Sequence, residues 1–186
     1  RRKFINPKNS LNCGNSGTTT RLISGLLSGQ GITAELIGDM SLSSRPMNRI
    51  ITPLTKMGAK ISCIDAKLPL KISSAPLNGI EYTLPIASAQ VKSSLILAAL
   101  GANGKSKIVE PVKTRDHSEI MLQKLGAQIS VNENDILVSP LKGKLNSFEI
   151  TVPGDPSSAA FFAAAAAMIP NSDLTIKNIS ANPDSF

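Results

Sequence analysis

The sequence predicts an α+β (α/β) fold made of repeated βαβαββ modules, with helices packed inside and sheets outside. Three observations carry that prediction. First, residues 15–39 (NSGTTTRLISGLLSGQGITAELIGD), 87–111 (ASAQVKSSLILAALGANGKSKIVEP) and 156–180 (PSSAAFFAAAAAMIPNSDLTIKNIS) share one order. Each runs from a Ser-small pair into an apolar helical segment, turns at Gly or Pro-Asn, and ends in an alternating strand. Ser16, Ser88 and Ser157 stand 72 and 69 residues apart. Second, Lys56–Ser62 (KMGAKIS) and Lys124–Ser130 (KLGAQIS) recur 68 residues apart, in phase with the first set. Third, segments 89–101 and 157–168 are apolar nearly all round, as helices enclosed by other layers are.

Taken in order, Phe4-Ile5 and Ser10-Leu11 offer a strand before the first helix. Capped helices are expected over roughly 17–28, 89–101 and 157–168, leading to strands at 31–37, 105–110 and 173–179. Second helices follow over roughly 46–57 and 115–125, the first opened by Pro46 and the second by Arg115-Asp116, residue types suited to a first turn. Gly58 and Gly126 end them as the residue after the cap. Strand pairs come next, 59–64 with 67–73 and 127–132 with 135–139, and a further strand at 78–84 or 146–152 leads into the following copy.

The stretch Cys13–Arg21 (CGNSGTTTR) carries the first chemical signal. Glycines allow close backbone approach, Ser and Thr cap a helix start, and the free N–H groups there attract anions. It lacks the Lys-Ser/Thr pair of a P-loop, and taken alone it reads as an ordinary turn and N-cap. The recurrence of the arrangement is what raises its weight.

Composition narrows the partners. The net charge is +7 at pH 7, which favours anions, but aromatic residues make up 3% and the basic residues are scattered. Both features favour a small anionic substrate over nucleic acid. Cys13 and Cys63 form no metal-ligand spacing, and His117 is the single histidine. No metal and no disulfide are therefore expected, in keeping with a reducing cytoplasm. The longest apolar run, Ala159–Ile169, is too short to span a bilayer, and Asn and Lys residues close behind Arg1-Arg2-Lys3 speak against a signal peptide. A soluble, cytoplasmic protein is expected.

Five blocks, GNSGTTTRL (14–22), GDMSLSSRPM (38–47), PIASAQVKS (85–93), EPVKTRDHSEIML (110–122) and VPGDPSSAAFF (152–162), occur in that order and cover nearly the whole chain. The chain so described resembles the 5-enolpyruvylshikimate-3-phosphate synthase family, whose enolpyruvyl transferase fold consists of such modules. The sibling UDP-N-acetylglucosamine enolpyruvyl transferases share the modules, but their reactive-cysteine loop has no counterpart here. The resemblance implies transfer of the enolpyruvyl group of phosphoenolpyruvate to the 5-hydroxyl of shikimate 3-phosphate, with loss of phosphate and without a cofactor. It also implies a full-length protein that is monomeric.

Carried over residue by residue, the resemblance places Gly17 and Thr18 against phosphoenolpyruvate and gives Arg45 the grip on that substrate, a use suited to a planar fork. Ser88, Ala89 and Gln90 match the shikimate-phosphate segment, with Gln90 reaching both substrates, and Thr114 and Arg115 match a further phosphate contact. Asn15 and Arg21 shape the first loop, and Asp155 caps the helix beginning at Ser157. Without the resemblance, Arg21 reads equally as a solvated helix charge, Arg115 reads as a surface helix charge, and His117 as structural or peripheral. A Gly at position 17 implies sensitivity to glyphosate.

The family's N-terminal lysine-serine-arginine segment is expected upstream of Arg1, and its C-terminal catalytic residues beyond Phe186. Residues 1–152 are accordingly expected to be an N-terminal-type domain, 153–186 the crossover and start of a second, and the chain alone inactive. The alternative is a non-catalytic basic module that binds polyanions with a steep salt dependence.

Overall fold

The computed structural model describes residues 4–180. The chain divides into two compact units, Arg1–Asn146 and Ser147–Phe186. The first unit holds two modules of one design. In module one the order is β1 (Leu11–Asn12), α1 (Gly17–Gly29), β2 (Ala34–Ile37), α2 (Met40–Ser44), α3 (Asn48–Lys56), β3 (Lys60–Ile64) and β4 (Lys67–Ser73). In module two it is β5 (Glu81–Thr83), α4 (Ala89–Ala99), β6 (Ser106–Val109), α5 (His117–Lys124), β7 (Ile129–Asn132) and β8 (Asp135–Val138). The two four-stranded sheets are ordered β1-β2-β4-β3 and β5-β6-β8-β7, each with one parallel pair and two antiparallel pairs.

The sheets show why alternation was readable. Along β4 the residues alternate strictly between exposed and buried, with Leu68, Leu70 and Ile72 turned inward. A sheet with one wet face needs only every second residue apolar. Helix α4 has the opposite pattern: Val91 through Ile96, with Ala98 and Ala99, are buried, as expected of a helix enclosed on all sides. Both helix stops are glycines with positive φ, +107° at Gly58 and +92° at Gly126, a conformation most side chains avoid.

Helices α1 and α4 meet backbone to backbone. A Cβ built on Gly25 would lie 2.0 Å from the carbonyl oxygen of Ser94, and one built on Gly101 would lie 1.8 Å from that of Gly29. Neither neighbour is a side chain that can swing aside. The two positions are thus glycine because the contact is closer than any Cβ allows.

Four expectations are corrected. The helix expected over 46–57 forms as α3 but begins two residues later, and a short helix that was not expected, α2, precedes it; proline at 46 restricts the residue before it and holds Arg45 extended (φ −78°, ψ 135°) between the two. No strand forms over 146–152; the strand leading into module two is β5, inside the expected 78–84. Residues 173–179 form no strand either, only one isolated bridge between Gly154 and Ile179. With no neighbouring strand in the described part of its unit, the alternating pattern there has no ladder to join. Phe4-Ile5 also lies outside any strand, and β1 is limited to Leu11–Asn12.

Within the second unit, α6 (Pro156–Met168) has no buried residue, and Phe161 and Phe162 are 80% and 68% exposed. The expectation of enclosed helices therefore holds for α4 and fails for α6 in this chain, because the described residues of its unit provide no sheet to lie over it. Among the described residues no helix is long and apolar enough to cross a membrane.

The close helix contact yields a stability test. Gly25→Ala is expected to destabilise the first unit by about 2 kcal/mol or more, because backbone must move to admit the methyl group. Urea unfolding followed by circular dichroism measures it; a midpoint equal to that of the unsubstituted chain would show that the helices separate at no cost.

Candidate anion-binding site

The contact between α1 and α4 sets their N-termini side by side. Ser16 caps α1, its hydroxyl accepting from the Thr19 N–H at 3.1 Å, and Ser88 caps α4, accepting from the Val91 N–H at 3.4 Å. Two adjacent helix starts offer unpaired N–H groups and two positive dipole ends, so the polar groups gathered there face a positive field.

Gln90 spans the two helices. Its side-chain amide nitrogen donates to the Thr18 hydroxyl at 2.8 Å, while its amide oxygen accepts from Arg21 Nη1 at 2.5 Å. Arg45 is fixed from another side. Its Nη2 donates to Asn15 Oδ1 at 2.8 Å and to the Ser41 hydroxyl at 3.2 Å. Asn15 in turn donates to Asp39 Oδ2 at 2.7 Å, and Asp39 caps α2 by accepting from the Leu42 N–H at 2.7 Å. The extended backbone that Pro46 imposes on Arg45 is what permits this return toward Asn15.

The site is cationic and short of counter-charge. Partial burial holds the Arg21 guanidinium below its usual range, and the like charges of Arg49 and Arg45 lower it further. An anion placed among these three groups relieves that repulsion. Gly17 leaves room for one: a Cβ there would sit 3.1 Å from Arg21 Nη1 and 3.6 Å from Arg45 Nη1. A side chain at that position would occupy the space the two guanidinium groups face.

Asp39 is held below the ordinary carboxylate range, chiefly by the Leu42 N–H, then by the Asn15 amide and the Arg45 charge. Its folded pKa is depressed, so its contribution is present above the unfolded value and lost as pH falls through the folded one. The anchored form of Arg45 is therefore the form present at neutral pH.

The remaining expected residues fall into different places. Asn15, Gly17, Thr18, Arg21, Arg45 and Gln90 are brought together. Ser88 serves as a cap and Ala89 lies half-buried in the first turn of α4. Thr114 points inward: its hydroxyl donates to Glu110, and its carbonyl oxygen accepts from Lys92 at 3.2 Å. Arg115 next to it is exposed, as is His117, the first residue of α5. Asp155 caps α6, accepting from the Ser157 N–H at 3.0 Å and the Ser158 N–H at 3.2 Å. Its pKa is depressed, first by the Ser158 hydroxyl and then by the Ser157 N–H.

Sequence reasoning passed over Asp39, Arg49 and the buried Lys92 with its partners Glu110 and Glu119. A signal for the last was present: Lys92 is the one charge in a helix that is otherwise uncharged and mostly apolar. Among the described residues no group of His, Cys, Asp and Glu is arranged to hold a metal.

Comparison with known proteins gives this arrangement a lineage. The family model described as EPSP synthase (3-phosphoshikimate 1-carboxyvinyltransferase) matches residues 1–185. The chain belongs to the EPSP synthase family. It is 50% identical over 185 residues to the 3-phosphoshikimate 1-carboxyvinyltransferase of Zymomonas mobilis, covering 97% of this chain and 41% of that protein. The enzyme of the same name from Syntrophomonas wolfei is 52% identical over 182 residues, covering 97% and 42%. A solved structure of the EPSP synthase from Acinetobacter baumannii superposes with a TM-score of 0.82 at 44% identity, covering 95% of this chain and 40% of that one. The chain spans about two-fifths of the length of the EPSP synthases it matches.

The polar chain from Asp39 to Arg45 has a measurable consequence. Asn15→Leu removes the second-largest cause of the low Asp39 pKa, so the Asp39 carboxyl titration read by NMR is expected to move up toward the ordinary carboxylate range. An unmoved midpoint would mean that Asn15 does not couple Asp39 to Arg45.

Proposed function

We propose that the protein to which this chain belongs transfers the enolpyruvyl group of phosphoenolpyruvate to the 5-hydroxyl of shikimate 3-phosphate, releasing phosphate. In this reading residues 1–152 supply the N-terminal wall of the substrate cleft, and 153–186 lead into a second domain. The observation that carries it is the Thr18–Gln90–Arg21 junction, where two capped helix starts and a guanidinium meet through one amide. Both substrates are multiply anionic, and the groups gathered here are guanidiniums, amides, hydroxyls and helix N-termini, all donors.

The geometry supports a role for each residue in this reading. Arg45, braced by Asn15 and Ser41, offers a fixed fork to the carboxylate or phosphate of phosphoenolpyruvate. Gly17 lets that substrate approach the start of α1. Gln90, at the head of α4, turns toward both substrates, while the first turn of α4 (Ser88, Ala89) and exposed Arg115 receive the phosphate of shikimate 3-phosphate. What these residues do is bind and orient; proton transfer is left to groups outside these 186 residues, so the chain alone is proposed to be inactive. Small-molecule substrates, a monomeric full-length enzyme and a cytoplasmic setting belong to the same reading.

Calorimetric titration with shikimate 3-phosphate tests it. Saturable, salt-weakened binding is expected, reduced about tenfold or more by Gln90→Ala and little by Arg45→Ala. Binding of any polyanion with no preference for shikimate 3-phosphate would replace this reading with that of a basic binding module. Turnover by the isolated chain would overturn the assignment of proton transfer to other groups.

A further inference from the structure

Lys92 lies on α4, two residues beyond Gln90, and is 1% exposed. Its ammonium donates to Glu110 Oε2 at 3.0 Å and pairs with Glu119 Oε1 at 2.7 Å; Glu110 and Glu119 are themselves 3% and 2% exposed. Its third donor goes to the Thr114 carbonyl at 3.2 Å. Thr114 closes the ring by donating its hydroxyl to Glu110. One buried ammonium thus ties α4, the residue following β6, the loop 111–116 and the first turn of α5 to a single point.

Stability alone is a poor account of this arrangement. Buried ion clusters are often no better for stability than apolar side chains of the same volume, and here two carboxylates share one cation. Glu119 Oε2 is buried with no hydrogen-bond partner, so the cluster is not optimised as a stabilising unit. What it does achieve is geometric. Residues 110–116 form no helix or strand, and Thr114 is gripped at both its hydroxyl and its carbonyl, which leaves little freedom to Arg115 beside it. A separate tether, the Ser118 hydroxyl donating to that of Ser93 at 2.7 Å, already docks α5 on α4. Docking of that helix therefore does not rest on Lys92 alone.

We propose that Lys92, held between Glu110 and Glu119, is the positioning residue that fixes the Thr114–Arg115 segment for the phosphate of shikimate 3-phosphate. The proposal rests on the binding role assigned above to Arg115. It gives Thr114 a new part: its side chain serves the clamp, and Arg115 alone reaches outward.

Two measurements on the full chain test it, amide hydrogen exchange over 110–116 and calorimetric titration with shikimate 3-phosphate. In Lys92→Met, exchange across 112–116 is expected to quicken on the order of tenfold while amides of β2 and β4 keep their protection. Affinity for shikimate 3-phosphate is expected to fall by about the same factor. Thr114→Val provides a variant better able to fold, because it keeps the shape of the side chain and leaves the three buried charges in place. It removes the hydroxyl that donates to Glu110, so the same segment loosens. Unchanged exchange at 112–116 in either folded variant overturns the clamp. Quickened exchange with undiminished affinity overturns the positioning role. If the unsubstituted chain itself shows no binding, the functional reading fails for this chain, and the exchange arm still decides whether Lys92 holds the segment.

Discussion

The close contact of α1 with α4 is the constraint on which the rest of the first unit depends. Two helices that meet through glycine, serine and alanine approach more nearly than side chains of ordinary size permit. Because each helix belongs to a different module, that approach joins the two sheets around one shared interior. It also fixes the distance between the two helix starts. Gln90 can therefore reach Thr18 and Arg21 across the gap, a bridge between residues 69 and 72 positions apart in the chain.

The site inherits its charge from the same geometry. Two dipole ends and three guanidinium groups are gathered at one end of a helix pair, and the nearest carboxylate, Asp39, is already engaged by Leu42 and Asn15. Asp39 thus steadies Arg45 through Asn15 without directly pairing with it. The guanidinium keeps its charge available, since Asn15 and Ser41 are neutral acceptors. A direct Arg-Asp pair would be firmer but less open to an incoming anion.

Much of this was legible in the sequence, for identifiable reasons. Ser16 and Ser88 betrayed the helix starts because a hydroxyl before an apolar run has a specific use. Gly58 and Gly126 betrayed the stops because the backbone there is left-handed. The alternation of β4 was readable because one face of its sheet is wet. The failures also have causes. Arg45-Pro46 marks the approach to a helix, but the proline holds the residue before it extended, so α3 starts at Asn48 and the short α2 stands apart from it. The pattern at 173–179 alternates like a strand, but alternation specifies a face and cannot supply a partner strand. The Lys92 cluster escaped because its members are separated in sequence and a lone lysine in an apolar helix does not reveal its acceptor. Thr114 was assigned outward by resemblance; only the coordinates of its neighbours show the hydroxyl committed to Glu110.

The choice of an amide at the junction of the helices has a consequence for how two anions can share it. A lysine at position 90 could donate to Thr18 but would repel Arg21, and a glutamate would pair with Arg21 and cancel the charge needed for a substrate. Gln90 does neither, because it carries a donor and an acceptor at once and used both here. Arg21 has five N–H donors, and the contact with Gln90 engages Nη1 alone. An anion can thus meet the rest of the guanidinium while Gln90 stays in place, so filling one subsite does not require dismantling the other. In the proposed reaction this is the economical arrangement: both substrates must be present together, and a residue that holds its orientation through both binding events keeps their reacting groups aligned.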